Sequence, residues 1–298
     1  MPDTITLQER IGLGTVKPTK ITMKQPTNLS EVSSDALIGI EVEVEQHDIN
    51  NRPHAAWVVK EDGSLRNNGA EYVSAPIKAS DAPAMLDNLF THSLSPSCSF
   101  SMRTSIHVHL NASDMNIQQM QAVVLLYTVF ESVFYNYAGR GRAKNIYCVP
   151  ITQTDLLTYF QEQQLRFKWQ KYTGLNLLRL MDLGTIEFRH LAGTSDPERI
   201  TNWIGIICRF REYVMNHPNL DALTKLIAEL DERSDYYTLL TDILGPYMQF
   251  VKFEEQEKYS HAALKVKTAF LKRGVTQQFY KDMSSDSPIY KVYRAVAL

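Results

Sequence analysis

The sequence predicts an α+β protein in which an antiparallel β-sheet is covered by helices on one face and is followed by a helical C-terminal region. Three observations predict this class. Four short segments alternate apolar and polar residues, two longer segments repeat apolar residues at helical spacing, and residues 219–298 consist of amphipathic helical patterns of mixed charge. With 298 residues, 44% of them hydrophobic and 21% charged, the chain can bury a substantial core.

The four alternating segments are typical of half-buried strands, because successive side chains of a strand point to opposite faces. They are residues 36–45, 70–76, 104–111 and 184–190. The second segment follows two turn sequences, DGSL at 62–65 and NNG at 67–69, which predict a hairpin at this point. Every segment therefore has one apolar face for helices to cover and one polar face.

Two helices are predicted from apolar spacing. One follows the third strand, with Ser113 or Asp114 as its cap, and extends to Tyr137. The other begins at Asp196, has a proline at its first position and continues to Val214. A further helical stretch is expected near 154–168. We expect three parts in the chain: a loosely structured N-terminal arm (1–35) that wraps the body, a core (36–218), and a helical C-terminal extension packed on that core (219–298).

Charge and composition argue against several classes of protein. The chain has 31 Lys and Arg against 33 Asp and Glu, a formal net charge of -2, so no large basic surface is expected for nucleic acid. Its longest strongly apolar stretch, residues 122–130, is far shorter than the roughly 20 residues of a membrane-spanning helix, and no secretory signal is evident. We expect a cytoplasmic protein with no nucleic-acid or membrane partner. Its three cysteines are far apart and are expected to be free, buried thiols.

The polar faces of the four strands carry residue types that bind divalent metals. They are Glu41, Glu43, Glu45, Glu71, His107, His109, Glu187 and Arg189. Taken alone, each face is most simply a solvated surface, but the alternation predicts that all four share one face of the sheet. Clustered carboxylates repel one another unless cations lie between them. An oxygen-rich set with imidazole suits Mg²⁺ or Mn²⁺ better than zinc.

Arg189 adds a planar donor fork, two residues after Glu187, that can hold phosphate or carboxylate oxygens. Metal ligands, acids and an arginine together indicate phosphoryl transfer. The glycine-rich segments at 11–15 and 138–142 lack the GK[ST] ending of a phosphate-binding loop. The triphosphate is therefore expected to lie across the sheet, held by metal and side chains.

Five motifs occur along the chain in a characteristic order. They are IEVEVE at 40–45, DGSL at 62–65 with GAEYVSAP at 69–76, SIHVHLN at 105–111, KYTGLNL at 171–177 and GTIEFRH at 184–190. Together they resemble the amidoligase family of carboxylate–amine ligases, whose core is similar to that of glutamine synthetase and glutamate–cysteine ligase. The resemblance spans about residues 38–210. It implies an ATP-dependent enzyme on a curved antiparallel sheet flanked by helices, with two or three Mg²⁺ or Mn²⁺ ions between sheet and triphosphate.

The resemblance also implies a role for each matching residue. The implied metal ligands are Glu41, Glu43, Glu71, His107 and Glu187. The implied nucleotide contacts are His109 and Asn111. The residues implied to contact substrate or phosphate are Lys171 and Asn176, and Arg189 is implied to steady the transferred phosphoryl group. The implied catalytic set is Arg189, Glu187 and Lys171. The alternative for Lys171 and Asn176 is that they are ordinary loop and cap residues. Arg140 and Arg142 lie in a basic loop that is most simply solvated.

The activity implied is formation of an amide bond through an acyl phosphate, with release of ADP and phosphate. Small-molecule or peptide carboxylates and amines are the implied substrates, and the oligomeric state is left open. Two alternatives keep the same sheet face. One is a phosphotransferase acting on a nitrogen acceptor, and the other is a metal- or nucleotide-binding protein without turnover.

Overall fold

A computed structural model of the chain describes residues 5–139, 141–153, 171–180, 182–230 and 233–251. Within these ranges seven strands form one open sheet in which all neighbours are antiparallel. The strands are β1 (Leu37–Val44), β2 (Trp57–Glu61), β3 (Ala70–Ser74), β4 (Ile77–Lys78), β5 (Ser105–Asn111), β6 (Leu175–Asn176) and β7 (Thr185–Ala192). Their order is β2-β3-β1-β5-β7-β6, with β4 paired to the start of β1. The predicted antiparallel sheet and its four predicted strands are confirmed.

The predicted hairpin is formed by β2 and β3, which pair along their whole length. Its connection spans residues 62–69, where Asn67 and Asn68 adopt positive φ angles of 52° and 56°. Asparagine tolerates this left-handed conformation better than most residues with a side chain, which explains why the NNG sequence marks the turn.

The helices in the described residues are α1 (Leu7–Ile11), α2 (Ala82–Asn88), α3 (Ile117–Ala138), α4 (Pro197–Asn216), α5 (Leu220–Glu229) and α6 (Arg233–Leu244). The cap predicted for α4 is confirmed, since Asp196 accepts a hydrogen bond from the amide of Arg199 at 3.2 Å. The cap predicted for α3 is wrong, because Asn116 caps this helix through a capping box with Gln119. Ser113 is instead engaged in a turn, where its amide and hydroxyl both donate to Asn111.

The apolar face of the sheet forms the core with α3 and α4. Ile40, Val42, Val108 and Phe188 are fully buried on this face, and Trp203 of α4 is buried with them. The opposite, polar face of the sheet lines a cavity.

The segment expected to form an N-terminal arm contacts the rest of the chain at two points. Its Leu7 amide donates to Met115 at 2.7 Å, and Ser30 donates to Glu198 at the start of α4. The arm also contains α1, which was not predicted. The described part of the C-terminal extension, α5 and α6, contributes buried residues such as Ile227 and Ile243 to the same core.

The helix predicted near 154–168, Arg140, and the rest of the extension after residue 251 lie outside the described residues. None of the described helices combines the length and the apolar character that crossing a membrane requires.

Candidate functional site

The strand pairing brings the predicted site residues onto one face of the sheet. Glu41 lies directly opposite His107, Glu43 opposite Glu71, and His109 opposite Glu187. Directly paired residues of antiparallel strands project to the same face with Cβ atoms about 4.5–5.5 Å apart. The prediction that four strands contribute to one polar face is therefore confirmed.

A bulge interrupts the pairing of β5 with β7 beside these residues. Ile106 pairs with Leu191 and Val108 pairs with Phe188, so that Arg189 and His190 together lie opposite His107. A bulge re-aims side chains locally. Here the Arg189 side chain lines the polar face, whereas the His190 ring packs among the aromatic residues of the core.

His107 is at the centre of the polar cluster. Its Nδ1 atom lies 3.2 Å from Glu41 Oε2 and 3.5 Å from Glu187 Oε1, and its Nε2 atom lies 3.6 Å from Glu43 Oε1. The Ser105 hydroxyl is 2.8 Å from His107 Nε2 and donates to Glu43 at 2.7 Å. One imidazole thus contacts three carboxylates from two neighbouring strands.

The five predicted metal ligands form two overlapping groups that share His107. Glu41, His107 and Glu187 form one group, and Glu43, Glu71 and His107 form the other. In each group, one candidate ligand atom per residue lies within 4.8 Å of the others. Four carboxylates and one imidazole make an oxygen-rich donor set, which suits Mg²⁺ or Mn²⁺.

The carboxylates of this cluster have shifted pKa values. Burial, together with the negative charges of Glu41 and Glu43, raises the pKa of Glu71 to about 8. Burial also opposes ionisation of Glu41, but hydrogen bonds and charge from His107 and His109 outweigh it and hold the pKa of Glu41 well below its ordinary value. Protonation of Glu71 is thus how the cluster tolerates its crowded charge when no cation lies between the carboxylates.

Glu187 is held by two residues that were themselves predicted to be functional. Arg189 forms an ion pair with Glu187 Oε1, and the Asn176 amide donates to Glu187 Oε2 at 2.6 Å. Burial opposes ionisation of Glu187, but the charges of His107 and Arg189 outweigh it and lower the pKa of Glu187. Asn176 is buried and orients Glu187, a candidate metal ligand. From the sequence, Asn176 was expected to contact substrate or phosphate, and this orienting role was not predicted.

The other predicted residues are placed differently. His109 lines the cavity, with Nε2 3.0 Å from Glu41 Oε1, and Lys171 lies at its rim over the ring of Tyr172. Asn111 is not brought into the site, because its side chain bonds Ser113 and Asp114 in the turn after β5. Glu45 also lies beyond the cluster.

The cavity above the cluster has a volume of about 260 Å³ and is lined by charged side chains of both signs. The acidic side chains that line it are Glu41, Glu43, Asp62, Glu71 and Glu187, and the basic ones are Lys60, Arg103, Arg142, Lys171, Arg179 and Arg189. Lys60, Arg103 and Arg179 were not predicted. Lys60 pairs directly with Glu71, so the hairpin register could have revealed it, but no sequence signal marks the two arginines.

Arg142 differs from its expected place in a solvated loop. Its side chain is buried, with the residue only 4% exposed, and it donates to the carbonyl oxygens of His190 at 2.7 Å and Arg189 at 2.8 Å. The expectation is wrong because β7 bulges at these two residues and leaves carbonyl groups that a guanidinium can satisfy.

A scan against protein-family models finds no match to this sequence, and a search of the curated proteins finds no relative. The fold is an open antiparallel sheet, and its polar face carries a cluster of carboxylates and histidine in a cavity that basic side chains also line.

Proposed function

We propose that this protein is an ATP-dependent carboxylate–amine ligase whose residues 36–218 form a glutamine synthetase-like amidoligase core. One observation carries the proposal. Residues from four strands converge around His107 into two candidate metal sites, and basic side chains also line the cavity above them. Carboxylates that hold cations and basic side chains that contact oxygens are together suited to a metal-bound polyphosphate.

The donor set fits the metal that the proposal requires. Glu41 and Glu187 would hold one Mg²⁺ or Mn²⁺ ion and Glu43 and Glu71 would hold another, with His107 as a ligand of one of the two. Deprotonation of Glu71 would accompany binding, since a carboxylate ligand must be ionised. When bound, such ions neutralise phosphate oxygens and favour attack at phosphorus.

Arg189 would stabilise the charge that develops on the transferred phosphoryl group. A guanidinium carries five N–H donors. In the structure one nitrogen pairs with Glu187 and Nε donates to the Tyr147 carbonyl at 3.4 Å. The other N–H donors of the group would bind phosphate oxygens. His109 would contact the nucleotide from the cavity wall, and Lys171 at the rim would bind an anionic group of substrate or nucleotide.

The proposed reaction has two steps. A carboxylate oxygen of the substrate attacks the γ phosphorus of ATP, the bond to the ADP oxygen breaks, and an acyl phosphate forms. An amine then attacks the acyl carbon, phosphate leaves, and the nitrogen loses a proton to give the amide. No protein nucleophile is required, which agrees with the positions of the cysteines: Cys148 and Cys208 are buried, Cys98 is half-buried, and none lines the cavity.

The experiment is a screen of carboxylate and amine pairs with ATP and Mg²⁺, followed by ADP release and mass analysis of the product. We expect an amide, with ADP and phosphate in equal amounts, and no release by Glu187→Gln, which lacks one ligand charge. AMP and pyrophosphate would instead indicate adenylation, and a stable phosphorylated product would indicate a phosphotransferase. Undiminished turnover in Glu187→Gln would contradict the proposed site. We place the reaction in the cytoplasm, where ATP is supplied.

A further inference from the structure

Two consecutive residues of the β7 bulge, Arg189 and His190, lie on opposite sides of the sheet, as successive strand residues do. Arg189 lines the cavity, and His190, fully buried, enters a cage of aromatic rings on the other side. The cage rings are Tyr127, Phe134, Tyr135, Phe188 and Trp203, with centroids 4.8–6.0 Å from that of His190. Because His190 follows Arg189 directly in the chain, a change in the backbone that carries the His190 ring also changes the backbone that carries Arg189.

A chain of buried hydrogen bonds holds His190 from behind. Its Nε2 atom lies 2.7 Å from the Tyr127 hydroxyl, which donates to Glu131 at 2.9 Å. Glu131 in turn accepts hydrogen bonds from the Ile151 amide at 2.6 Å and from both the amide and the hydroxyl of Thr152. The Tyr127 hydroxyl is thus the link between the imidazole and a carboxylate fixed by the backbone.

The bulge is also held from the cavity side. Arg142 donates to both bulge carbonyls, and the Arg189 amide donates to Gly174 at 2.8 Å. Gly174 approaches so closely that a Cβ atom there would lie 2.6 Å from His190 Nε2. His190 is therefore packed against the loop that carries Lys171 on one side and against Tyr127 on the other.

We propose that Tyr127 is a positioning residue that fixes Arg189 through His190 and the bulge. The proposal rests on the proposed function in one respect, that the target of Arg189 is a transferred phosphoryl group. Packing alone does not explain why the Tyr127 hydroxyl and the His190 imidazole lie in an aromatic core, because polar groups there are unfavourable unless they are hydrogen-bonded. The hydroxyl instead gives the imidazole one defined orientation, and a precisely held donor is what stabilisation of developing charge requires.

The test compares Tyr127→Phe with Tyr137→Phe. Tyr137 lies on the same helix, and its hydroxyl donates to the Arg199 carbonyl at 2.8 Å, outside the chain described above. Relative to this control, Tyr127→Phe should lower kcat by about tenfold, the lower end of the range for residues that orient functional groups. The KM for ATP should change by less than about twofold, because ATP binding in the ground state does not depend on the Arg189 guanidinium.

A double variant establishes whether Tyr127 acts through Arg189. If it does, Tyr127→Phe combined with Arg189→Lys should be no slower than Arg189→Lys alone, because the group being positioned is already gone. Multiplication of the two rate losses would overturn the proposal. Should Tyr127→Phe fold poorly, Thr152→Val removes a hydroxyl from the far end of the chain and should show the same pattern with a smaller loss.

A second measurement needs no turnover and separates this proposal from the proposed function. The Nε–H signal of Arg189, assigned by its loss in Arg189→Lys, should exchange with water about threefold or more faster in Tyr127→Phe than in Tyr137→Phe. Equal exchange in the two variants would overturn the positioning role, even in an active ligase. Faster exchange in a protein that releases no ADP would support positioning and count against the ligase.

Discussion

His107 is the residue on which the candidate site depends, because both groups of metal ligands include it. Its two ring nitrogens face different carboxylates, Glu41 and Glu187 on one side and Glu43 on the other. An imidazole can ligate a metal through only one nitrogen at a time while the other is held by a neighbouring acceptor or donor. Ser105, which contacts both His107 and Glu43, is placed to fix that choice.

Glu43 and Glu45 provide a matched pair for testing the metal site. Glu43 lies in β1 and Glu45 directly follows the strand. They are equally buried, but Glu45 lies outside the cavity and accepts the Arg66 amide at 3.1 Å. Glu43→Gln keeps size and an acceptor oxygen but removes a ligand charge, so its Mn²⁺ affinity, measured by titration calorimetry, should fall by about tenfold or more. Glu45→Gln should bind Mn²⁺ as the wild type does. Equal losses in both variants would mean that general acidity, not a defined site, attracts the ion.

Glu71 should make the stability of the metal-free protein depend on pH. Its pKa of about 8 lies above the ordinary value of 4.5, so the folded state binds more protons than the unfolded state between these values. The stabilisation is therefore complete below about pH 4.5 and is lost as the pH rises through 8. In chelator, the free energy of unfolding measured with urea should fall from pH 5.5 to 8, by at most about 1.4 kcal/mol per pH unit for one proton.

Glu71→Gln is the variant that checks this assignment. An amide does not titrate, so the fall in stability between pH 5.5 and 8 should become shallower. An unchanged pH profile would assign the proton to another group of the cluster.

At the scale of the elements, the sequence predicted which residues share a face of each strand but did not predict the bulge in β7. Alternation located the four main strands, because successive side chains of a strand point to opposite faces. Since the apolar faces of the strands share one core, their polar residues, among them Glu41 and Glu187, were expected on the other face of the sheet. The bulge could not be predicted from the regular alternation of GTIEFRH, since it arises from pairing with β5 and is stabilised by Arg142, distant in sequence. The buried state of Arg142 and the orienting role of Asn176 were missed for the same reason.

Gly174 tests how closely two of these elements must approach. A Cβ atom at this position would lie 2.4 Å from the Tyr135 hydroxyl and 2.6 Å from His190 Nε2, and both side chains are buried. Gly174→Ala should therefore destabilise the fold by about 1–3 kcal/mol, as overpacking does, in guanidinium unfolding. Gly63→Ala is the control, because nothing lies within 4 Å of its added Cβ. A wild-type stability for Gly174→Ala would show that the loop can move away from α3 without cost.

At the scale of the whole molecule, net charge gives little indication of the site. The chain as a whole is close to neutral, at -2, yet one cavity gathers five acidic and six basic side chains. The order of the strands causes this concentration, because it brings segments from residue 41 to residue 189 side by side. Composition could therefore argue against a nucleic-acid surface but could not indicate a cavity of this kind.

The shared core predicts that sheet and C-terminal extension unfold together. Ile40 in β1 and Ile243 in α6 are both completely buried and belong to one hydrophobic cluster. Ile40→Ala and Ile243→Ala should each destabilise the protein by about 2–5 kcal/mol, because each leaves a cavity of similar size. Followed by tryptophan fluorescence and far-UV circular dichroism, both variants should lower the midpoint of the same transition. An extension that folds independently would instead give Ile243→Ala a separate, earlier transition in circular dichroism and leave the fluorescence of buried Trp203 unchanged.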